Sequence, residues 1–374
     1  MHVVIVGGGV IGLAAAWRAL RAGLTATVID PAPASKASHV SAGMLPPVTE
    51  QVHDRGPLLR FYLDSRDRYP SFVAELEDDA GRPAGYRRDG VLDAAFDGAD
   101  LAELHRLRDF QISLGIRTET LAARDCLDLE PRLAPSVQGG LFAPDDGSVD
   151  PRRLTAALIG AVRRRGGDLV TDAVTGVVTA GGRATGVRLR SGGTVSGDRV
   201  VLAAGCWTHR LGGLPPGAVP EIRPVKGQIL RLRSDLPFLT RTTRGVVAGT
   251  SVYLVPRLDG ELVIGATYED VGDDTAVTAG GVQDLLGRAT AVLPGATALE
   301  FAEASTGQRP AAPDGLPVLG ETAVPGLLLC TGHFRIGVQL TPATADALVA
   351  LLTTGELPES AEPFSPSRFA TATA

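Results

Sequence analysis

Gly7, Gly9, Gly12 and Asp30 are the residues whose types and spacing could do chemistry first. Gly7-Gly8-Gly9-Val10-Ile11-Gly12 reads G-x-G-x-x-G, and Asp30 follows eighteen positions after Gly12. In such a loop Gly7 permits a tight turn and Gly9 leaves no Cβ between the backbone and a pyrophosphate. Gly12 lets the following helix pack close to its strand. The N–H groups from Val10 and Ile11 onward, with the positive end of the helix dipole, suit phosphate oxygens. An acid at Asp30 accepts from ribose hydroxyls and repels a 2′-phosphate. The motif fits FAD and NAD equally.

The elements that must position these residues are legible around them. Val3 to Val6 is an apolar β-branched run, the texture of a buried parallel strand. The spacing predicts a helix over Val10–Ala22, stopped at Gly23, and a second strand over Thr25–Ile29 that ends at Asp30. Two later segments repeat the strand-to-glycine ending. One is Arg199-Val200-Val201-Leu202-Ala203-Ala204-Gly205-Cys206-Trp207; the other runs from Gly326 to Gly332. Ligands of doubly wound sheets bind at the carboxyl ends of strands, so three such endings predict one dinucleotide touched by three segments.

The remaining chain divides by texture. Ser35 to Pro47 reads as a loop or short helix stopped by proline. Helices are predicted over Leu58–Asp79, Ala99–Leu114 and Val277–Leu293, and from Pro151 to about Arg165 behind an Asp150 cap. Tyr86–Ala95 reads as a short strand pair, and Asp125–Pro131 as a connector opened by a cap at Asp125. Asp168–Val201 alternates short strands with glycine turns. Strands over 227–233, 251–256 and 261–267 form an antiparallel sheet of their own, with Tyr253 and Val255 on one face and Val252 and Leu254 on the other.

Composition narrows the function classes. The 374 residues exceed one ordinary core and predict two domains, and 44% apolar residues suffice to fill them. A net charge of −6 argues against a partner bound through nucleic-acid phosphates, and Arg163-Arg164-Arg165 reads as a solvated helix end. Cys126, Cys206 and Cys330 are odd in number and far apart, which opposes a disulfide framework or a zinc site. No metal is expected. The N-terminal apolar run lacks the basic start of a signal peptide, and no stretch is long enough to span a membrane. A cytoplasmic protein with reduced thiols is the expectation, with residues after Phe369 frayed.

Several stretches together resemble the FAD-dependent D-amino-acid oxidase superfamily. They are the glycine motif with Asp30, Ser41-Ala42-Gly43-Met44-Leu45, Pro224-Val225-Lys226-Gly227-Gln228, Tyr253-Leu254-Val255-Pro256-Arg257, Gly307-Gln308-Arg309-Pro310 and Gly332-His333-Phe334-Arg335-Ile336-Gly337. Their order and spacing are most similar to the glycine oxidase family, whose imine product enters thiamin thiazole synthesis. Gln308 and Ile336 depart from that pattern, where an apolar residue and an asparagine are expected.

The resemblance implies an α/β fold: a Rossmann-type FAD-binding domain (1–85, 146–222 and 305–374) with an inserted, mainly antiparallel β substrate domain (86–145 and 223–304). It implies that Arg335 grips a substrate carboxylate, that Tyr253 hydrogen-bonds to it and that Arg309 lies beside it. A planar guanidinium matches a carboxylate in two-point fashion, which supports those roles. Ser41, Ala42, Gly43 and Met44 would line the flavin, with Val174, Ala204, Gly205, Trp207, Gly332, Arg335, Ile336 and Gly337 completing a non-covalent FAD site. His333 has two readings, a flavin contact and a structural histidine. The helix from Gly337 would point its positive end at reduced flavin.

The implied reaction is oxidation of glycine or another small amino acid by hydride transfer to flavin N5. Dioxygen is then reduced to peroxide. The implied partners are the amino acid and O2, no nucleic acid or membrane, a homo-oligomer and a downstream thiazole synthase. The rival readings are a flavin dehydrogenase with another acceptor, an NAD enzyme and a flavin-bearing subunit without turnover.

Overall fold

The β-branched run near the N-terminus forms the strand His2–Val6, placed inside a six-stranded sheet. In this computed structural model residues 1–45, 56–247 and 249–370 are described. The proline stop at Pro46-Pro47 and the chain end from 371 lie outside them. His2–Val6 pairs in parallel with Arg199–Leu202 on one side and Thr25–Ile29 on the other. Leu327–Thr331 and Asp168–Val170 extend the parallel set, and Val318–Glu321 closes one edge antiparallel. The three strand-to-glycine endings therefore leave adjacent strands at one edge of one sheet.

Period two decides what each face of that sheet meets. Val3 and Ile5 pack beneath the helices Val10–Arg21, Gly56–Ala80, Pro151–Arg164 and Gly337–Thr354. Val4 and Val6 face a small antiparallel sheet, Val174–Ala180, Arg183–Leu189 and Thr194–Ser196. Asp79 ties three of the helices together. It accepts from Trp17 Nε1 at 2.7 Å, Arg21 Nη1 at 3.0 Å and Arg165 Nε at 2.5 Å. The Arg165 bond, chiefly, lowers its carboxyl to about 2.

The second sheet has eight strands, ordered Glu300–Ala311, Arg223–Arg233, Glu261–Gly265, Thr250–Pro256, Thr242–Val247, Val91–Ala95, Gly139–Ala143 and Glu119–Ala122. Its pairs are antiparallel except Val91–Ala95 with Thr242–Val247. Val252 and Leu254 turn toward the helix Ala279–Val292, in a core with Leu285, Ala289 and Val292. Tyr253 and Val255 turn the other way, against Val40, Ala42 and Met44. The alternation read from sequence thus aims Tyr253 at the segment that follows the glycine loop.

Several local expectations shift. Ser35 onward forms a four-residue helix, Ala37–Val40, and then the strand Met44–Leu45. Tyr86–Ala95 holds the two expected strands, Tyr86–Arg87 and Val91–Ala95, but they do not pair with each other. Gly90, at φ +82°, turns the chain so that Tyr86–Arg87 joins Met44–Leu45 and Gly147–Val149 while Val91–Ala95 enters the large sheet. Asp125 is no N-cap but the third residue inside the helix Ala123–Leu129, its carboxylate accepting from the Ala122 amide at 3.2 Å. Asp150 does cap its helix, accepting from Arg152 N at 2.9 Å and Arg153 N at 3.3 Å. Thr278 caps Ala279–Val292, which moves the expected start inward by two residues. Glu300–Ala311 is one continuous strand, so the domain boundary expected at 304/305 falls within it.

The three cysteines are buried and free. Burial pushes the Cys126 and Cys206 thiols up to about 11 and Cys330 to about 12, so none is a reactive thiolate. Among the described residues no helix is long and apolar enough to cross a membrane.

Candidate active site

The glycine loop is required by contact as well as by sequence. Gly7 has φ +112°, and a Cβ there would lie 2.4 Å from the Ala203 carbonyl oxygen. A Cβ on Gly12 would lie 2.0 Å from the Gly7 carbonyl oxygen, so loop and helix touch backbone to backbone. Asp30 holds the loop from the next strand end. It accepts from Gly8 N at 2.7 Å and, through its other oxygen, from Ala32 N at 2.8 Å. Ser38 Oγ accepts from the Val10 amide at 3.0 Å, a role the sequence did not reveal.

The other strand ends are tied to this one. Ala203 N donates to Val6 O at 2.8 Å, and the 3-10 turn Gly205–Arg210 follows with Trp207 half open to solvent and Lys36 Nζ 5.9 Å from its ring centre. Thr208 and Thr331 hydroxyls both donate to the Gly205 carbonyl, at 2.7 and 3.2 Å. Val174 packs with the Val6 and Ile29 cluster below these ends. Arg257, buried and lowered to about 10 by that burial, donates to Ala42 O at 2.6 Å and Val149 O at 3.3 Å. It braces the Ser41–Met44 segment, where Gly43 stands at φ +71° with its Cβ position 2.0 Å from Val149 O. The quoted motif contained Arg257 without exposing that role.

His333 is buried, its Nε2 3.1 Å from Thr344 Oγ1, and burial lowers it to about 4. The imidazole is neutral and turned into the protein, which favours its structural reading. Ile336 precedes the helix Gly337–Thr354 and offers no side-chain cap, so the first-turn amides have no side-chain acceptor among the described residues.

Arg309, Arg335 and Tyr253 come from three separate segments and lie near enough for their charges to act on one another. Arg309 donates to Lys226 O and Thr267 O, both at 3.1 Å, and its guanidinium lies over Gly227. Lys226 and Gln228 set the loop that carries Thr267. Buried Lys226 Nζ meets Asp274 at 2.5 Å, Glu269 at 2.9 Å and Ala276 O at 3.1 Å, while Gln228 Nε2 donates to Glu269 at 2.7 Å. Tyr268, on the same loop, packs edge-on to Phe334 at 6.2 Å. Gln308 faces away from Arg309, its Oε1 3.9 Å from Cys206 Sγ, so this departure from the expected pattern lies on the opposite side of the strand.

Charge defines the site. Burial lowers Arg309 below the usual guanidinium value. Arg335, although open on one side, is lowered by desolvation and then by repulsion from Arg309. Among the described residues neither arginine has a carboxylate partner. The Tyr253 hydroxyl has no hydrogen-bond partner among them, and burial raises its pKa, so it remains a donor. Two cations and a hydroxyl without such partners among the described residues can hold a carboxylate. The fit to FAD rests on the loop that tolerates no Cβ, the acid at Asp30 and the uncapped helix start.

The nucleotide sheet with its glycine loop defines the class, a dinucleotide-binding oxidoreductase. The sequence matches the family described as FAD dependent oxidoreductase over residues 2–351. It is 34% identical to glycine oxidase of Geobacillus kaustophilus over 370 residues, 98% of this chain and 96% of that one. It is 36% identical to the bifunctional protein ThiO/ThiG of Synechocystis, over 99% of this chain and 54% of that protein. The chain thus spans about half the length of these bifunctional relatives. The crystal structure of the Geobacillus kaustophilus glycine oxidase superposes with a TM-score of 0.89 at 32% identity, covering 98% of each chain. Iminodiacetate oxidase of Chelativorans gives 0.89 at 27% identity, covering 97% of this chain and 98% of that one. The chain belongs to the glycine oxidase family of the FAD-dependent D-amino-acid oxidase superfamily, and its cofactor is FAD.

Proposed function

We propose that the protein oxidises glycine or another small amino acid to its imine, with dioxygen as the final electron acceptor and peroxide as its product. The observation that carries this reading is the pair Arg309 and Arg335, one buried and one open on one side, neither with a carboxylate partner among the described residues. Arg335 grips the substrate carboxylate, Tyr253 donates to it, and Arg309 adds charge from a fixed position. FAD, when bound, would supply the acceptor for the hydride that leaves the substrate Cα. The protein's contribution is orientation: the carboxylate is anchored at one end so that the Cα–H bond is presented to the cofactor, and no side chain is required as general base.

The segments proposed to line FAD are Gly7–Gly12, Asp30, Ser41–Met44, Val174, Ala204–Trp207 and Gly332–Gly337, with His333 contributing backbone rather than its ring. The bifunctional relatives named ThiO/ThiG support a place for the imine in thiazole synthesis, with a thiazole synthase as the consuming partner. The test is peroxide release in air from the FAD-loaded protein with glycine, sarcosine, D-alanine and D-proline. Peroxide from glycine above the others supports the full reading. Peroxide from a bulkier amino acid alone moves the substrate. Anaerobic flavin bleaching without peroxide replaces dioxygen by another acceptor, and silence in both assays rejects the proposal.

A further inference from the structure

A cavity of about 260 Å³ lies between the helix Gly56–Ala80, the turn at Asp145–Gly147 and the first turn of Gly337–Thr354. Tyr253, Arg309 and Arg335 do not line it. Asp146 and Gln339 do, and they are 3% and 2% exposed. Both carboxyl oxygens of Asp146 and both amide atoms of Gln339 lack a hydrogen-bond partner among the described residues. An unsatisfied buried polar group costs about 1–3 kcal/mol, and the three unmet acceptors among these atoms belong to two residues that line one cavity, which favours an occupant that donates hydrogen bonds.

The atoms say which kind. Asp146 supplies two acceptors and Gln339 Oε1 a third, matching the three N–H donors of a primary ammonium group. The charge also fits. Arg66, Arg88 and Arg117 also line the cavity, but each is paired with another acid, Asp67 at 2.9 Å, Asp145 at 3.0 Å and Glu119 at 3.1 Å, and none makes a hydrogen bond to the Asp146 carboxylate. Asp93 and Asp145 repel it, and burial pushes its carboxyl up to about 7. A cation inside the cavity would favour the ionised form more strongly than water, because it adds Coulomb attraction to its hydrogen bonds. Tyr69 and Tyr86, stacked at 5.6 Å, line the same cavity and add aromatic surface attractive to a cation. The volume is below the span of drug-sized pockets and suits a ligand of a few heavy atoms.

We infer that Asp146 and Gln339 form a second binding site, separate from the substrate site, for a small molecule carrying a primary ammonium group. The ligand is held by charge-assisted hydrogen bonds from its nitrogen to Asp146 and Gln339 Oε1. Free ammonium and a small amino acid share this chemistry. The site does not depend on the proposed reaction, because binding is read without turnover.

The test is equilibrium dialysis of the FAD-loaded full chain against radiolabelled methylammonium at a pH above the Asp146 value. Methylammonium has no carboxylate for the arginines to hold. One saturable equivalent is expected, weakened at least about tenfold in Asp146→Asn and in Gln339→Leu, the scale of a charged hydrogen bond. FAD content and melting midpoint report folding of each variant. On the wild type at a pH one step below the Asp146 value, where the carboxyl is protonated without ligand, saturating methylammonium should also abolish the infrared band of a neutral buried carboxyl group. Absence of saturable binding, binding unchanged in both variants, or a carboxyl band insensitive to methylammonium overturns the proposal and leaves water in the cavity. Competition by ammonium chloride alone assigns free ammonium as the ligand. Competition by glycine in an Arg335→Ala background assigns the amino acid.

Discussion

The guanidinium of Arg309 lies directly over the α-carbon of Gly227, on the strand it pairs with, and a Cβ at Gly227 would come within 2.2 Å of Arg309 Nη2. The arginine occupies the place of the missing side chain and is fixed there by the carbonyls of Lys226 and Thr267. Gly227→Ala should push this flexible side chain aside without disturbing the strand. Steady-state kinetics should show the amino-acid KM rising about tenfold, the worth of one displaced charged contact, with little change in melting midpoint. An unchanged KM would mean that Arg309 does not face the substrate.

Arg335 has no competing partner among the described residues, so its loss should be felt by the substrate alone. Arg335→Ala should weaken carboxylate binding by roughly 1.5–3 kcal/mol, about ten- to a hundredfold in KM. Arg335→Lys should recover only part of this, since a point charge cannot reproduce the two-point geometry. Full recovery by lysine would show that charge alone suffices.

Gly12 touches the Gly7 carbonyl at a distance no side chain tolerates. Gly12→Ala should separate loop from helix and lower FAD content, measured by absorbance of the purified protein. A yellow, fully loaded variant would disprove the close packing. The cost in stability should reach about 1–3 kcal/mol, as for other overpacked positions.

Lys226 is buried against Glu269 and Asp274 and is raised above its ordinary value by hydrogen bonds to Asp274 and then Glu269. Lys226→Met should release the loop that carries Thr267 and Tyr268. Its signature is a higher KM at retained flavin content, because the loop contacts Arg309 and not the glycine motif. Both carboxylates are partly exposed, so water can take up much of the lost interaction.

Burial holds His333 at about 4, below the ordinary imidazole value of 6.5. The folded state therefore favours the neutral ring. Its stability contribution is complete above about pH 6.5 and falls as the pH drops toward 4, by about 1.4 kcal/mol per pH step of one. Denaturant titrations across that window should show the loss in the wild type and a flatter profile in His333→Gln, which keeps a partner for Thr344. Identical slopes would place the acid sensitivity elsewhere.

What the sequence determined by itself is the nucleotide half and the facing of single strands. The glycine loop, the helix after it and the acid at Asp30 are contiguous, so local backbone sterics and strand periodicity suffice to read them. Period two likewise turned Tyr253 from Leu254 before any contact was known. The tertiary structure alone decided that Arg309 and Arg335 stand without acids among the described residues, that Lys226 is buried, and that Tyr86–Arg87 and Val91–Ala95 part into different sheets. It alone gathered Asp146 and Gln339 around one cavity. These outcomes depend on which distant segments pair and which side chains share a space. Such choices follow from hydrogen-bond partners and packing surfaces supplied by residues remote in the chain, which no local pattern contains.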